Sequence, residues 1–93
     1  MLVLQRFVAT LNKGTESEHI AENDVGRTCA VEVQLHQTRT HNSQVNLVMH
    51  LLDSHGNAYK EITTSEITSS EGNVFTTNNS KYVFDNIVEA HVC

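Results

Sequence analysis

The stretch Thr28-Cys29-Ala30-Val31-Glu32-Val33-Gln34-Leu35-His36 alternates strictly between apolar and other side chains. Cys29, Val31, Val33 and Leu35 fall on one side; Ala30, Glu32, Gln34 and His36 fall on the other. A two-residue period belongs to a half-buried β-strand, because successive side chains leave a strand on opposite faces. The segment therefore reads as one wall of a small β domain.

Working outward, residues 2–11 hold Leu2, Val3, Leu4, Phe7, Val8, Ala9 and Leu11, apolar on both faces. The expectation there is a strand covered on both sides. Residues 12–27 are polar. Thr15-Glu16-Ser17-Glu18 fits a capping box, and Ile20, Ala21 and Val25 supply a thin apolar side. A short helix near residues 15–23 and a plain loop both fit this segment.

Residues 44–53 carry two periodicities. Val45, Val48, Met49 and Leu52 are spaced as one helical face, while Val45, Leu47, Met49 and Leu51 alternate as a strand face. The strand reading is favoured because Asp53-Ser54-His55-Gly56-Asn57 forms a credible hairpin connection into residues 58–64. Residues 65–73 read as a loop or ragged edge. Val74 to Thr77 and Ser80 to Val83 flank Asn78-Asn79. A two-residue turn with left-handed Asn residues places Phe75 opposite Tyr82 and Val74 opposite Val83. The last strand is expected to run to the end of the chain, with Tyr82, Phe84 and Val88 on one face. A helix from Asp85 is the competing reading.

The chain has no proline, which suits segments held in a ladder and leaves sheet edges without a common guard. At 93 residues it is expected to be one domain. The predicted fold is mainly β: a small antiparallel β-sandwich or curled sheet of five to six strands.

Composition narrows the function. The net charge is −5, and the six Lys and Arg residues are scattered rather than clustered. Nucleic-acid binding, which rests on clustered cations, is not expected. No apolar run approaches the ~20 residues of a membrane span. Met1-Leu2-Val3-Leu4 runs straight into Gln5 and Arg6, so a signal-peptide core is not indicated. The expectation is a cytoplasmic protein with reduced thiols, no cofactor and no membrane partner.

Three sets of side chains are candidates for chemistry. His91 and Cys93 lie two apart and would share a strand face, half of a metal site that needs a third ligand. His36, His50 and Asp53 flank the connections on either side of residues 44–53 and are candidates for binding a small ligand between subunits. Val45, Leu47, Met49 and Leu51 form an apolar strand face suited to an interface. Catalysis is not expected. Cys29 sits on the apolar side of its strand, and the carboxylate pairs Asp85 with Glu89 and Asp53 with Glu61 do not line a cleft.

The functional expectation is a non-enzymatic protein-interaction module. It would self-associate as a homo-oligomer through an apolar sheet face or a strand edge. Its small size suits an inhibitor or adaptor of a phage or mobile element. The alternatives are a ligand binder or minor enzyme with an intersubunit pocket, and a metal-binding β module.

Overall fold

The computed structural model of the chain describes residues 2–37 and 42–89. It contains seven strands: β1 (Leu2–Leu11), β2 (Thr28–Gln37), β3 (Ser43–Leu52), β4 (Ala58–Thr63), β5 (Ile67–Glu71), β6 (Val74–Thr77) and β7 (Lys81–Glu89). All pair antiparallel in one sheet with the order β4-β3-β2-β1-β7-β6-β5. This is the curled sheet rather than the sandwich, with more strands than expected.

The edge strands β4 and β5 are consecutive in the chain, joined only by residues 64–66. No ladder pairs them among the described residues, so the sheet is not closed. Thr64 holds the corner. Its amide donates to the Leu47 carbonyl at 2.9 Å. Its hydroxyl accepts from the Leu47 amide at 3.0 Å, and its carbonyl accepts from the Asn46 side chain at 2.9 Å. The amide, hydroxyl and carbonyl of the buried Thr64 are thereby all used, as burial requires.

The curl gives the sheet an inner face that packs on itself. Residue pairing puts Phe7 opposite Val31, Val31 opposite Met49, and Met49 opposite Ile62. Directly opposed residues in an antiparallel pair share a face, so one apolar row crosses four strands. Leu11 and Phe84 extend the inner face onto β7. Phe7, Phe75 and Phe84 form an aromatic cluster with ring centroids 5.4 to 5.9 Å apart. Ile20, Val45 and Ile67 pack against this core.

The helical reading of residues 44–53 is excluded: β3 occupies them and pairs with β2 over nine residues. Residues 15–23 form no α-helix. A single 3₁₀ turn spans Glu22–Asp24, and Asp24 accepts from the Ala21 amide at 2.9 Å. Thr15, the expected cap, is used elsewhere. Its hydroxyl accepts from the Val83 amide at 3.0 Å, and Glu16 bridges Lys81. Tertiary pairing with β7 thus overrides the local helix signal.

The hairpin after Asp53 forms as expected. The Asp53 carboxylate accepts from the amides of His55 and Asn57, both at 2.9 Å, and Gly56 supplies a φ of 82°. The pairing of Phe75 with Tyr82 and of Val74 with Val83 is also as expected. Their turn differs in detail. Neither Asn78 nor Asn79 has positive φ; among the described non-glycine residues only Asn86 does. Residues 67–71, expected as loop or ragged edge, are strand β5. Gly72 at φ 58° turns it into β6.

Asn86 changes which way β7 faces. Val8 pairs with Val88 and Thr10 with Asp85, so Asn86 and Ile87 together oppose Ala9. This is a β-bulge with its left-handed residue at Asn86, where φ is 53°. Simple alternation puts Phe84 and Val88 on one face. The extra residue inverts the parity, so Phe84 is fully buried while Val88 points outward and is 66% exposed.

The expectation that β1 is covered on both sides also fails. Phe7, Ala9 and Leu11 are buried, but Val8 is exposed, because a single curled sheet has no second layer over this part of its outer face; Leu2, opposite Leu35 at the end of the inner row, and Leu4, within the register shift between Val3 and Gln5, are exposed as well.

Candidate functional site

The outer face of the sheet is built from the alternate residues of the same strands. One row runs Val88, Val8, Ala30, His50, Glu61 across β7, β1, β2, β3 and β4. A second row beside it runs Arg6, Glu32, Val48, Thr63. Between them lies an open hollow of about 260 Å³, lined by Arg6, Val8, Ala30, Glu32 and His50 among others. Ala30 makes the hollow, because its methyl group leaves space between the longer side chains around it.

The polar groups of this face are organised along β2. Arg6 Nε donates to Glu32 Oε2 at 2.6 Å, and Gln34 Nε2 donates to Glu32 Oε1 at 2.9 Å. Gln34 Oε1 lies 3.0 Å from His36 Nε2. Hydrogen bonds from Gln34 and then Arg6 hold the Glu32 carboxyl below its ordinary range, so it stays ionised beside the hollow. On the far side His50 Nε2 stands 3.6 Å from Glu61 Oε2. The floor is apolar and the rim carries both signs of charge.

Of the three residues expected to bind a ligand, only His50 lines the hollow. His36 shares the outer face but ends the hydrogen-bonded rail. Asp53 is consumed by its own turn, as its two amide bonds show. The apolar set expected at an interface is placed inside. Leu47, Met49 and Leu51 are wholly buried in the core of their own chain, and Val45 packs against it. Alternation is the reason: these residues lie on the face of β3 toward which the sheet curls. Leu47, Met49 and Leu51 are not on a surface of the folded chain, and Val45 is partly buried. His91 and Cys93 lie outside the described residues. Among the described residues no group of three His, Cys, Asp or Glu side chains is placed to hold a metal ion.

The surface apolar groups lie on other strands. Among the described residues, six large hydrophobic side chains are exposed: Leu2, Leu4, Val8, Tyr59, Ile87 and Val88. All but Tyr59 belong to the adjoining strands β1 and β7. Val8 was legible as part of an apolar strand, but the outward aim of Val88 depends on the Asn86 bulge, which no local pattern announces.

A second polar cluster lies at the connection between β1 and β2. Asp24 is buried and receives Lys60 Nζ at 2.7 Å, the Tyr59 hydroxyl at 2.8 Å and the Ala21 amide. Burial pushes its carboxyl up, but the bonds from Lys60, Ala21 and Tyr59 outweigh it and hold the group below its ordinary range. Arg27 stacks over the Tyr59 ring at 5.8 Å. The nearby Cys29 thiol is pushed up to about 11, by burial first and by the Asp24 charge second, which makes it a poor nucleophile at neutral pH. This cluster ties the connection to β4 and leaves no reactive group open to solvent.

No helix among the described residues is long and apolar enough to cross a membrane. No family model, curated protein or solved structure matches the chain.

Proposed function

We propose that the protein is a non-enzymatic protein-interaction module that self-associates through the outer face of its sheet. The carrying observation is the directly paired Val8 and Val88, 40% and 66% exposed, beside a hollow with an apolar floor. An isolated surface valine needs no explanation, but an outward apolar pair continuous with a hollow is the form an association surface takes. The bulge that turns Val88 outward removes it from the core, so burial in the chain's own interior is not its use.

The charged rim supports the same reading. Arg6 and Glu32 satisfy each other, and such exposed pairs add little stability to the fold. At an interface they set register and partner choice instead. The hollow is smaller than an ordinary small-molecule pocket, which runs from about 300 Å³ upward, and it is open. It therefore suits a protein surface better than an enclosed ligand. An adaptor or inhibitor role is the biological setting we assign to such a module.

The test is the solution mass of the untagged chain by light scattering across a concentration series at pH 8.0. A mass near twice the 10.4 kDa chain, reduced to one chain by Val88→Lys, is expected. A single-chain mass at every concentration, or a dimer indifferent to Val88→Lys, overturns the reading.

A further inference from the structure

We propose that the connection between β1 and β2 is a latched strap, whose residues 18–25 open as a unit when the side-chain bonds to Asp24 break, uncovering Cys29 while the seven-stranded sheet stays folded. This opening is independent of the association proposed above.

The connection runs between strands that are not neighbours in the sheet. On one side it is joined to β7. Glu16 and Lys81 exchange backbone bonds at 2.7 and 2.8 Å, and the Thr15 hydroxyl accepts from the Val83 amide at 3.0 Å. Ser17 Oγ lies 3.0 Å from the Tyr82 hydroxyl. On the other side it is joined to β4, where the Asp24 carboxylate receives Lys60 and Tyr59. Between these anchors Glu18, His19, Ala21, Glu22 and Asn23 are exposed, and Ile20 packs against the core.

β4 is shaped for the contact. Leu51 pairs with Lys60 and Leu52 with Ala58, so Tyr59 is the extra residue of a bulge. A bulge re-aims the side chains around it. Simple alternation sends adjacent residues to opposite faces, yet Tyr59 and Lys60 both reach one carboxylate. Lys60 also ends an inner-face row that runs Ala9, Cys29, Leu51, Lys60 across four strands. Cys29 in that row is completely buried, and its thiol donates to the Arg27 carbonyl at 3.7 Å. Asp24 lies near enough for its charge to act on the same thiol.

The two anchors differ in kind. The β7 anchor includes paired backbone groups and opens only with the sheet. The β4 anchor is a single side chain, and the span leading to it buries little apolar surface. A segment held in this way opens at a lower free energy than the whole fold. The root stays in place. Gly26, at φ 87°, makes the turn back into β2, its amide donates to the Leu11 carbonyl at 2.8 Å, and the Leu11 amide donates to Arg27 at 3.0 Å.

The test is the rate at which Cys29 reacts with N-ethylmaleimide at pH 8.0, in a Cys93→Ser background that leaves Cys29 as the one thiol of the chain. Reagent is kept dilute, so that the rate follows the open population. In urea below the unfolding transition the rate should stay nearly flat, because opening the strap exposes little surface. Asp24→Asn should speed the reaction about tenfold and Tyr59→Phe about threefold, through weakened or lost bonds to a charged group. Tyr59→Phe leaves the Asp24 charge in place, so its faster reaction reports opening rather than a change in thiol acidity. Circular dichroism of each variant checks that the sheet is intact. A rate that climbs with urea as steeply as global unfolding overturns the proposal, because Cys29 is then reached only through the unfolded chain. A rate unchanged in Tyr59→Phe overturns it as well.

Discussion

The two faces of β3 carry opposite chemistry on one backbone. Toward the inside, Leu47, Met49 and Leu51 are fully buried. Toward the outside, the strand presents Gln44, Asn46, Val48, His50 and Leu52. The inner face is spent on the fold. The outer face keeps a histidine at 39% side-chain exposure, and its buried polar atoms bond to neighbours, as Asn46 does to Thr64. The fully buried core lies on the inner face, while the outer face is covered only in part, over Gln34, Asn46 and Val48.

Substitutions sort along that division. The largest effect belongs to the inner face. Phe84→Ala removes a ring that touches both Phe7 and Phe75 and should cost about 3 to 5 kcal/mol, read as a shift of the urea midpoint. Such a loss is a large part of the total stability of a domain this size. A cost below about 1 kcal/mol would mean the aromatic cluster is not the centre of the core.

Next comes the clamp at the edge of the inner face. Asp24→Asn keeps the shape but weakens the bonds from Lys60 and Tyr59. We expect a loss of about 2 kcal/mol, moderated because Lys60 is one-third exposed. The pH dependence has a definite sign. The Asp24 carboxyl lies below its ordinary value in the folded chain, so its stabilising share is present above about pH 4. That share is lost as pH falls through the lower folded value. Wild type and Asp24→Asn should accordingly converge in stability toward low pH. Parallel acid limbs would show that the clamp is not electrostatic.

Asn86 joins the two faces, because its bulge sends Phe84 inward and Val88 outward. Asn86→Ala should cost about 1 kcal/mol through its left-handed backbone, and Asn86→Gly should cost little or nothing. Equal losses for both would assign the position to side-chain contacts instead. The smallest effect on stability is expected on the outer face itself. Measured in urea at concentrations low enough to keep wild type a single chain, Val88→Lys should stay within about 0.5 kcal/mol, while at high concentration it should abolish the proposed dimer. A large loss of stability there would break the division between the faces.

Much of the inner face was legible before the structure. Alternation in β2 and β3 marks Cys29, Val31, Val33, Leu47, Met49 and Leu51 as one side, and these residues are buried. The pairing of Phe75 with Tyr82 follows from the short turn between two apolar runs. The hairpin after Asp53 follows from Asp and Gly at turn positions. Each of these is a local signal, carried by a period of two or by turn chemistry.

The outer site was not legible to the same depth. His50 was identified as a candidate from its place near a turn, but its neighbours Arg6, Glu32 and Glu61 are brought to it only by pairing among four strands. The Asp24 clamp joins residues 35 and 36 positions apart in the chain. Residues 67–71 look like loop because an exposed edge strand needs little apolar face: β6 pairs with them, and Ile67 is the residue that packs against the core.

By itself, the sequence determined the strand-forming period, the turns and the apolar sets, because these depend on residues within a few positions of one another. The tertiary structure decided which apolar set would be buried. A sheet must curl in one direction, and that choice put Leu47, Met49 and Leu51 inside and Val8 outside. It also decided the aim of Val88, because the parity of β7 depends on fitting its register to β1. That fit is made between residues nearly the whole chain apart, and it is met by one left-handed asparagine.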